Sequence, residues 1–360
     1  LIVREQRFPL AIQVELCGRQ LQIVAQPESV VTAFAEYFRH YQPLLLTSSV
    51  SEGSINSASQ PVFRLHLRMR RALPLRERSI PGNAQRLTQS GPMELWQAAA
   101  TASRPESFYF VNPVTMFRVI PQRNLMTGII TPPTLQAAHI LTNTWSLFGL
   151  LLLLRHSRIY HLHSAAVLAP DCRLFLLCGG PRSGKTTLTT ALGIAGWKPL
   201  ADDSLFLQQP PASGQTANHF SAQIIPMKKN FHLSRELLSR WQQLHDITWK
   251  ERDEDRISAA GLEFFNSLSD AEAEYYRADS IILPQIADAA ESRLERISAS
   301  ETLLALAQQS TFLQLWSAHT QLQMQMLAEI VRHASCWRMM AGRDILLHPQ
   351  RAGQLLHSIL

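Results

Sequence analysis

The chain has 360 residues, 46% of them hydrophobic, and a formal net charge of +6. That much apolar material excludes a disordered or fibrous chain, and the length accommodates one large or two ordinary domains. The longest apolar block, Trp145 to Leu154, would reach only ~15 Å as a helix, so no helical membrane span and no membrane partner are expected.

Cys17, Cys172, Cys178 and Cys336 form no C-x-x-C pair and have no histidine partners at zinc spacing, which argues against structural zinc and against a disulfide framework. Such usage fits a reducing compartment, and a cytoplasmic protein is expected. The chain opens at Leu1 rather than methionine, so a native N-terminal stretch is expected to precede it; no cleavable signal is visible.

Leu10–Leu16 and Gln20–Val24 read as a hairpin across Gly18, followed by a helix opening near Pro27 and Glu28. Residues 48–60 are polar and read as a loop. Phe63 to Arg70 alternates strictly and is expected to be an antiparallel strand with one wet face bearing Arg64, His66, Arg68 and Arg70. Base rates favour an edge strand whose charges block edge pairing over a surface that steers an acidic partner. No aromatic residues interleave with the cluster as base-stacking platforms, so no nucleic acid is expected as a partner. A helical patch over Glu94–Ala100 and strands at Phe108–Val111 and Phe117–Ile120 complete a smaller β-rich α+β N-terminal domain over 1–130, the candidate for acceptor recognition. Thr134 to Arg155 carries a helical stripe.

His161 to Leu168 reads as one strand joined by a short turn to a second, Leu174–Cys178, and that strand feeds a glycine loop. Gly179, Gly184, Lys185 and Thr186 satisfy G-x-x-x-x-G-K-[ST], with Gly180, Pro181, Arg182 and Ser183 inside the loop and Thr187 opening the helix behind it. Glycines let backbone N–H groups turn toward a nucleotide's phosphates, and the helix adds its positive N-terminal end. Lys185 supplies a mobile charge, and the Thr186 hydroxyl can ligate Mg²⁺. ATP and Mg²⁺ are therefore the expected cofactors.

Asp202 and Asp203 lie only 17 and 18 residues beyond Lys185, after one helix and one short apolar step. Two adjacent acids serve two purposes, one holding Mg²⁺ and one accepting the proton of an incoming hydroxyl. His163 precedes the loop in an apolar strand, where a histidine is more often a hydrogen-bonded core residue than a catalyst.

The order His163-Ser-Ala-Ala-Val, Gly179-Gly-Pro-Arg-Ser-Gly-Lys-Thr, then Ala201-Asp-Asp resembles the catalytic domain of HPr kinase and its relatives over about residues 159–207. The resemblance implies an α/β fold with a P-loop kinase core of the HPr kinase type over 131–360. It implies catalytic roles for His163, Lys185 and Asp202, and metal binding by Thr186 and Asp203, with Asp202 and Asp203 exchangeable as base. No counterpart of the segment tied to the reverse, phosphorolytic reaction is found, and the N-terminal half differs from that of the regulatory enzyme. The chain is closer to HPr kinase-related proteins, some of them similar to kinases that phosphorylate ribosomal peptides of the lasso type.

Downstream, residues 208–218 read as a loop near the nucleotide. Phe220–Ile225 reads as a strand and Phe231 to Leu244 as an amphipathic helix, with Lys228 and Lys229 between them, where base rates favour a solvated loop pair over contact with phosphate or an acidic substrate. Lys250–Arg256 reads as a wet turn, Ser280–Pro284 as a buried strand, Ala299–Gln309 and Phe312–His333 as helices, and Asp344–Leu347 as a strand. The whole predicts a kinase that moves the γ-phosphoryl group of ATP to a hydroxyl, serine foremost, of a peptide, protein or small molecule. A nucleotide-gated ATPase module that assists a partner without modifying it is the alternative, and homo-oligomers are left open.

Overall fold

The computed structural model describes residues 10–46, 62–73, 80–90, 92–136, 140–210, 222–229, 231–245, 249–251, 256–259, 275–315 and 317–360. The chain is α/β and divides into two compact units, 1–157 and 158–360. The helical segment after residue 130 therefore counts with the first unit, whereas the sequence reading set the division at 130.

The first unit is built on one nine-stranded sheet. Its elements are β1 (Leu10–Leu16), β2 (Arg19–Gln26), α1 (Glu28–Tyr37), β3 (Leu44–Leu46), β4 (Val62–Met69), β5 (Ala84–Ser90), β6 (Met93–Ala98), β7 (Ser107–Val111), β8 (Met116–Ile120), β9 (Leu125–Ile130), α2 (Pro132–Gln136) and α3 (Leu147–His156). The strands lie in the order β3-β1-β2-β4-β9-β8-β7-β6-β5. β1 and β2 form the expected hairpin, turned by Cys17 and Gly18 with φ of 51° and 65°, the two positive values a tight hairpin turn demands. Phe63, Leu65 and Leu67 of β4 are buried while Arg64, His66 and Arg68 are exposed, so the alternation sets one face inward.

Two expectations fail here. β4 pairs in parallel with both β2 and β9 and lies inside the sheet, neither antiparallel nor at an edge. Alternation reports which face is wet, whereas strand direction and position depend on partners far along the chain. Residues 93–98, expected to be helical, form β6 between β5 and β7, where two ladders outweigh the helical preference of Glu, Leu, Gln and Ala. Residues 48–60 lie outside the described residues.

In the second unit the order is β10 (Ile159–Leu162), β11 (Ser164–Leu168), β12 (Leu174–Cys178), α4 (Lys185–Ile194), β13 (Lys198–Ala201), β14 (Leu205–Gln208), β15 (Gln223–Pro226), β16 (Phe231–Ser234), α5 (Arg235–Arg240), β17 (Lys250–Glu251), β18 (Arg256–Ala259), β19 (Ser280–Ile286), β20 (Arg293–Arg296), α6 (Ala299–Gln308), α7 (Ala318–His333), β21 (Ser335–Ala341), α8 (Arg343–Leu347) and α9 (Gln350–His357). A six-stranded sheet runs β13-β11-β12-β19-β21-β20, beside two three-stranded sheets, β10-β14-β15 and β16-β18-β17.

β12 is apolar at every position because both its faces are covered. Phe175 and Leu177 enter a core with Leu188, Trp197, Trp241 and Leu356, while Leu174, Leu176 and Cys178 enter another with Leu205, Met326 and Leu327. α4 and α9 thus cover one face and α7 the other.

Several sequence boundaries shift. The strand expected over 161–168 is broken at His163 into β10 and β11, which belong to different sheets. Phe231 begins a strand, and the helix opens at Arg235, where Ser234 caps it by accepting a bond from the Leu237 N–H. α7 starts at Ala318 rather than Phe312, and residues 343–347 are helical, a run too short for periodicity to separate strand from helix. Residues 211–221 and 252–255, which include parts of the expected loop, the start of the expected strand at Phe220 and part of the wet turn, lie outside the described residues.

Candidate functional site

Strand register brings the candidate residues together. β11 is antiparallel to β12 with Ser164 opposite Cys178, and β13 is antiparallel to β11 with Ala201 opposite Ala166. The end of β12, the start of β11 and the end of β13 therefore lie at one edge. Gly179, His163 and Asp202-Asp203 are the next residues out along these three strands. At this edge the chain also steps between sheets twice, since β10 pairs with β14 and Leu162 faces Leu205. His163 occupies one crossing and Asp202 to Ser204 the other, which is why the strand expected through residue 163 is interrupted.

Between β12 and α4 the loop runs from Gly179 to Gly184. Pro181 and Arg182 are exposed, while Gly179, Gly180, Ser183, Gly184, Thr186 and Thr187 are half-buried. Gly184 takes φ +95° at the helix N-cap, a value that a side chain opposes, and no side chain caps the first turn of α4. The helix thus presents its N-terminal N–H groups and positive dipole end beside the loop, an arrangement suited to an anion.

Lys185 is 7% exposed, and its Nζ donates to the carbonyls of Gly179 at 2.6 Å and Gly180 at 3.1 Å. Burial holds its pKa below the ordinary lysine value, opposed by the nearby acids Asp202 and Asp203. Burial also pushes the Cys178 thiol up to about 12, so that this residue is inert strand core.

The two acids are driven apart. Asp202 is 9% exposed; burial first and the neighbouring Asp203 second push it up to about 7, against a hydrogen bond from Thr186 and the charges of Lys229 and Lys185. Its Oδ1 is buried with no hydrogen-bond partner. Asp203, with 33% of its side chain exposed, is held well below the usual carboxylate range: its burial is overcome by Lys229, whose Nζ lies 2.6 Å from Oδ1, assisted by His163 and Ser204. Lys229 was expected to be half of a solvated pair, and this ion pair corrects that reading.

A second layer stands behind Asp203. Ser204 Oγ donates to Asp203 Oδ1 at 3.0 Å and lies 3.2 Å from His161 Nε2, while His161 Nδ1 lies 2.7 Å from Thr311 Oγ1. With the serine proton spent on Asp203, His161 donates from Nε2 and accepts the Thr311 hydroxyl at Nδ1. Burial, followed by the charge of Lys229, lowers the His161 pKa to about 3 and keeps the ring neutral. His163 is half-buried and bonded to the Asp203 backbone; burial, then the charge of Lys185, lowers its pKa.

Every residue expected at the site therefore gathers at this edge. Sequence reasoning missed Ser204, His161 and Thr311 and undervalued Lys229. Ser204 adjoins the acid pair and His161 precedes His163 by two residues, but Thr311 sits far along the chain and carries no local signal.

The oxygen donors fit a hard cation. Thr186 and Asp202 are hydrogen-bonded neighbours, and the orphaned Asp202 Oδ1 lacks what a cation would supply. Among the described residues no group of three or more His, Cys, Asp or Glu is arranged to hold a metal, so such an ion would complete its shell with water and ligand oxygens. No helix of the described residues is long and apolar enough to cross a membrane. Comparison of the chain with protein-family models gave no match, and comparison with curated proteins gave none.

Proposed function

We propose that the 158–360 unit is an ATP- and Mg²⁺-dependent kinase core of the HPr kinase type that transfers a γ-phosphoryl group to a hydroxyl, serine foremost, of a peptide, protein or small-molecule acceptor. The observation that carries the reading is the convergence at one sheet edge of a glycine loop, a buried lysine and two adjacent acids whose surroundings shift their pKa values in opposite directions.

The loop N–H groups and the α4 N-terminus bind and orient the phosphates. Lys185, now bonded to loop carbonyls, has its charge within reach of the same anion. The Thr186–Asp202 contact favours these two as the cation ligands, which exchanges the roles that the sequence gave to the acid pair. When bound, Mg²⁺ would neutralise charge on the transferring phosphoryl group. In this reading Asp203, the more exposed acid and the one kept ionised by Lys229, orients the acceptor hydroxyl and accepts its proton as the bond to phosphorus forms. Lys229, Ser204 and His163 fix its position.

Catalysis in this reading is positioning and charge compensation within a partly dry site. The test is steady-state ADP formation with and without candidate acceptors: serine-containing peptides, free serine and an HPr-like protein. Stimulation by one acceptor class, lost in Lys185→Ala, supports the kinase. ADP formed at one rate whatever is added supports the nucleotide-gated module instead.

A further inference from the structure

The solvent face of the nine-stranded sheet in the 1–157 unit holds a cavity of about 800 Å³, lined by His66, Arg68, Arg70, Arg104, Arg118 and Arg123 among others, with no aspartate or glutamate among the described residues of its wall. Among the described residues none of these five arginines is ion-paired. The volume lies in the range of ordinary ligand sites, about 300–1,000 Å³.

Strand register explains the convergence. Across the ladder His66 of β4 faces Thr127 of β9, which faces Arg118 of β8, which faces Tyr109 of β7. Arg68 sits two residues along from His66 on the same face, and Arg70 extends the row, its N–H donating to the Ile130 carbonyl. An edge strand blunted by charge needs no such arrangement, and β4 is interior. Arg118 is held in place: its Nη2 donates to Ser107 Oγ at 3.1 Å and its guanidinium lies 5.7 Å from the Tyr109 ring centre. Its Nε is buried with no hydrogen-bond partner, a donor directed at nothing the protein supplies.

We propose that this cleft binds a carboxylate-rich segment of extended polypeptide. Guanidinium forks match carboxylates two bonds at a time, and among the described residues the wall carries five arginines and no lysine. Arg68 and Arg70 are spaced at roughly 6.6 Å, the distance between alternate side chains of an extended chain lying along the sheet. The charges are spread over β4 and its end, β8, and the β6–β7 and β8–β9 connections, and so suit several separate carboxylates better than one phosphate. Nucleic acid is disfavoured because Tyr109, the Phe, Tyr or Trp side chain among the described residues of the wall, is 6% exposed beneath Arg118 and offers no face for a base. The site belongs to the first unit and does not depend on phosphoryl transfer in the second.

The experiment uses the full chain and a fluorescent (Glu-Thr)₄ peptide, with (Gln-Thr)₄ and an oligothymidylate of eight nucleotides as comparisons. The acidic peptide is expected to bind, more weakly as salt rises, and the neutral peptide not to bind. Arg68→Ala combined with Arg123→Ala, both at exposed positions, is expected to weaken binding about tenfold with an unchanged melting curve, as the loss of a few exposed pairs would. Arg118→Lys, which keeps the charge and loses the fork, is expected to weaken it as well. Equal binding by the double variant, equal binding of the neutral peptide, or tighter binding of the oligothymidylate would each overturn the proposal.

Discussion

Lys229 Nζ stands 2.6 Å from Asp203 Oδ1, an ion pair joining the segment after β15 to the end of β13. Half-buried ion pairs are held in register by what surrounds them, here Ser204 on the same oxygen and His163 on the Asp203 backbone. Lys229→Met is therefore expected to leave ATP binding within about twofold and to lower phosphoryl transfer at least about a hundredfold, the scale of losing one preorganised charge. Parallel nucleotide titrations and single-turnover rates check it; a normal transfer rate would leave Lys229 a structural cation.

Asp202 and Asp203 are expected to separate on substitution. Asp202→Asn removes the acid beside Thr186 and should raise the Mg²⁺ concentration for half-maximal activity about tenfold or more. Asp203→Asn should leave that concentration unchanged and abolish transfer. Magnesium titrations of both variants decide, and the reverse pattern would restore the assignment drawn from the sequence.

His161 links stability to pH. Its folded pKa is depressed to about 3, while in the unfolded chain it titrates near 6.5. Below pH 6.5 the unfolded state takes up a proton that the folded state refuses. Stability is therefore lost on acidification at up to about 1.4 kcal/mol per pH unit, until the folded ring protonates near pH 3. His161→Gln, which keeps one donor and one acceptor, should lose about 2 kcal/mol less than wild type between pH 7 and 5 in urea unfolding.

Gly184→Ala places a side chain at φ +95°, with Ile286 Cγ1 in ordinary contact at 3.5 Å. Backbone strain, rather than crowding, should cost about 1–2 kcal/mol. Differential unfolding and nucleotide affinity measured on the same preparation would register both the strain and a displaced loop.

Legibility followed locality. The strand–loop–helix from Leu174 to Ile194 was readable because glycine loops and continuous apolar runs are local signals, and all the site residues read from the sequence lie between His163 and Asp203. β4 showed its wet face by alternation, but its interior place depends on β2 and β9. The break at His163 was hidden because Tyr160 to Leu168 is buried at nearly every position, and burial alone does not tell one sheet from two. Lys229 reaches Asp203, and Thr311 reaches His161, only through tertiary folding, which spacing cannot report.

The most direct test of the central claim is to follow the label from γ-labelled ATP in the presence of Mg²⁺ and serine-containing acceptors, with wild type and Lys185→Ala side by side. The account expects label on an acceptor hydroxyl with wild type and none with the variant. Tight ATP binding by wild type with no label transferred to any acceptor, or transfer undiminished in Lys185→Ala, would contradict it.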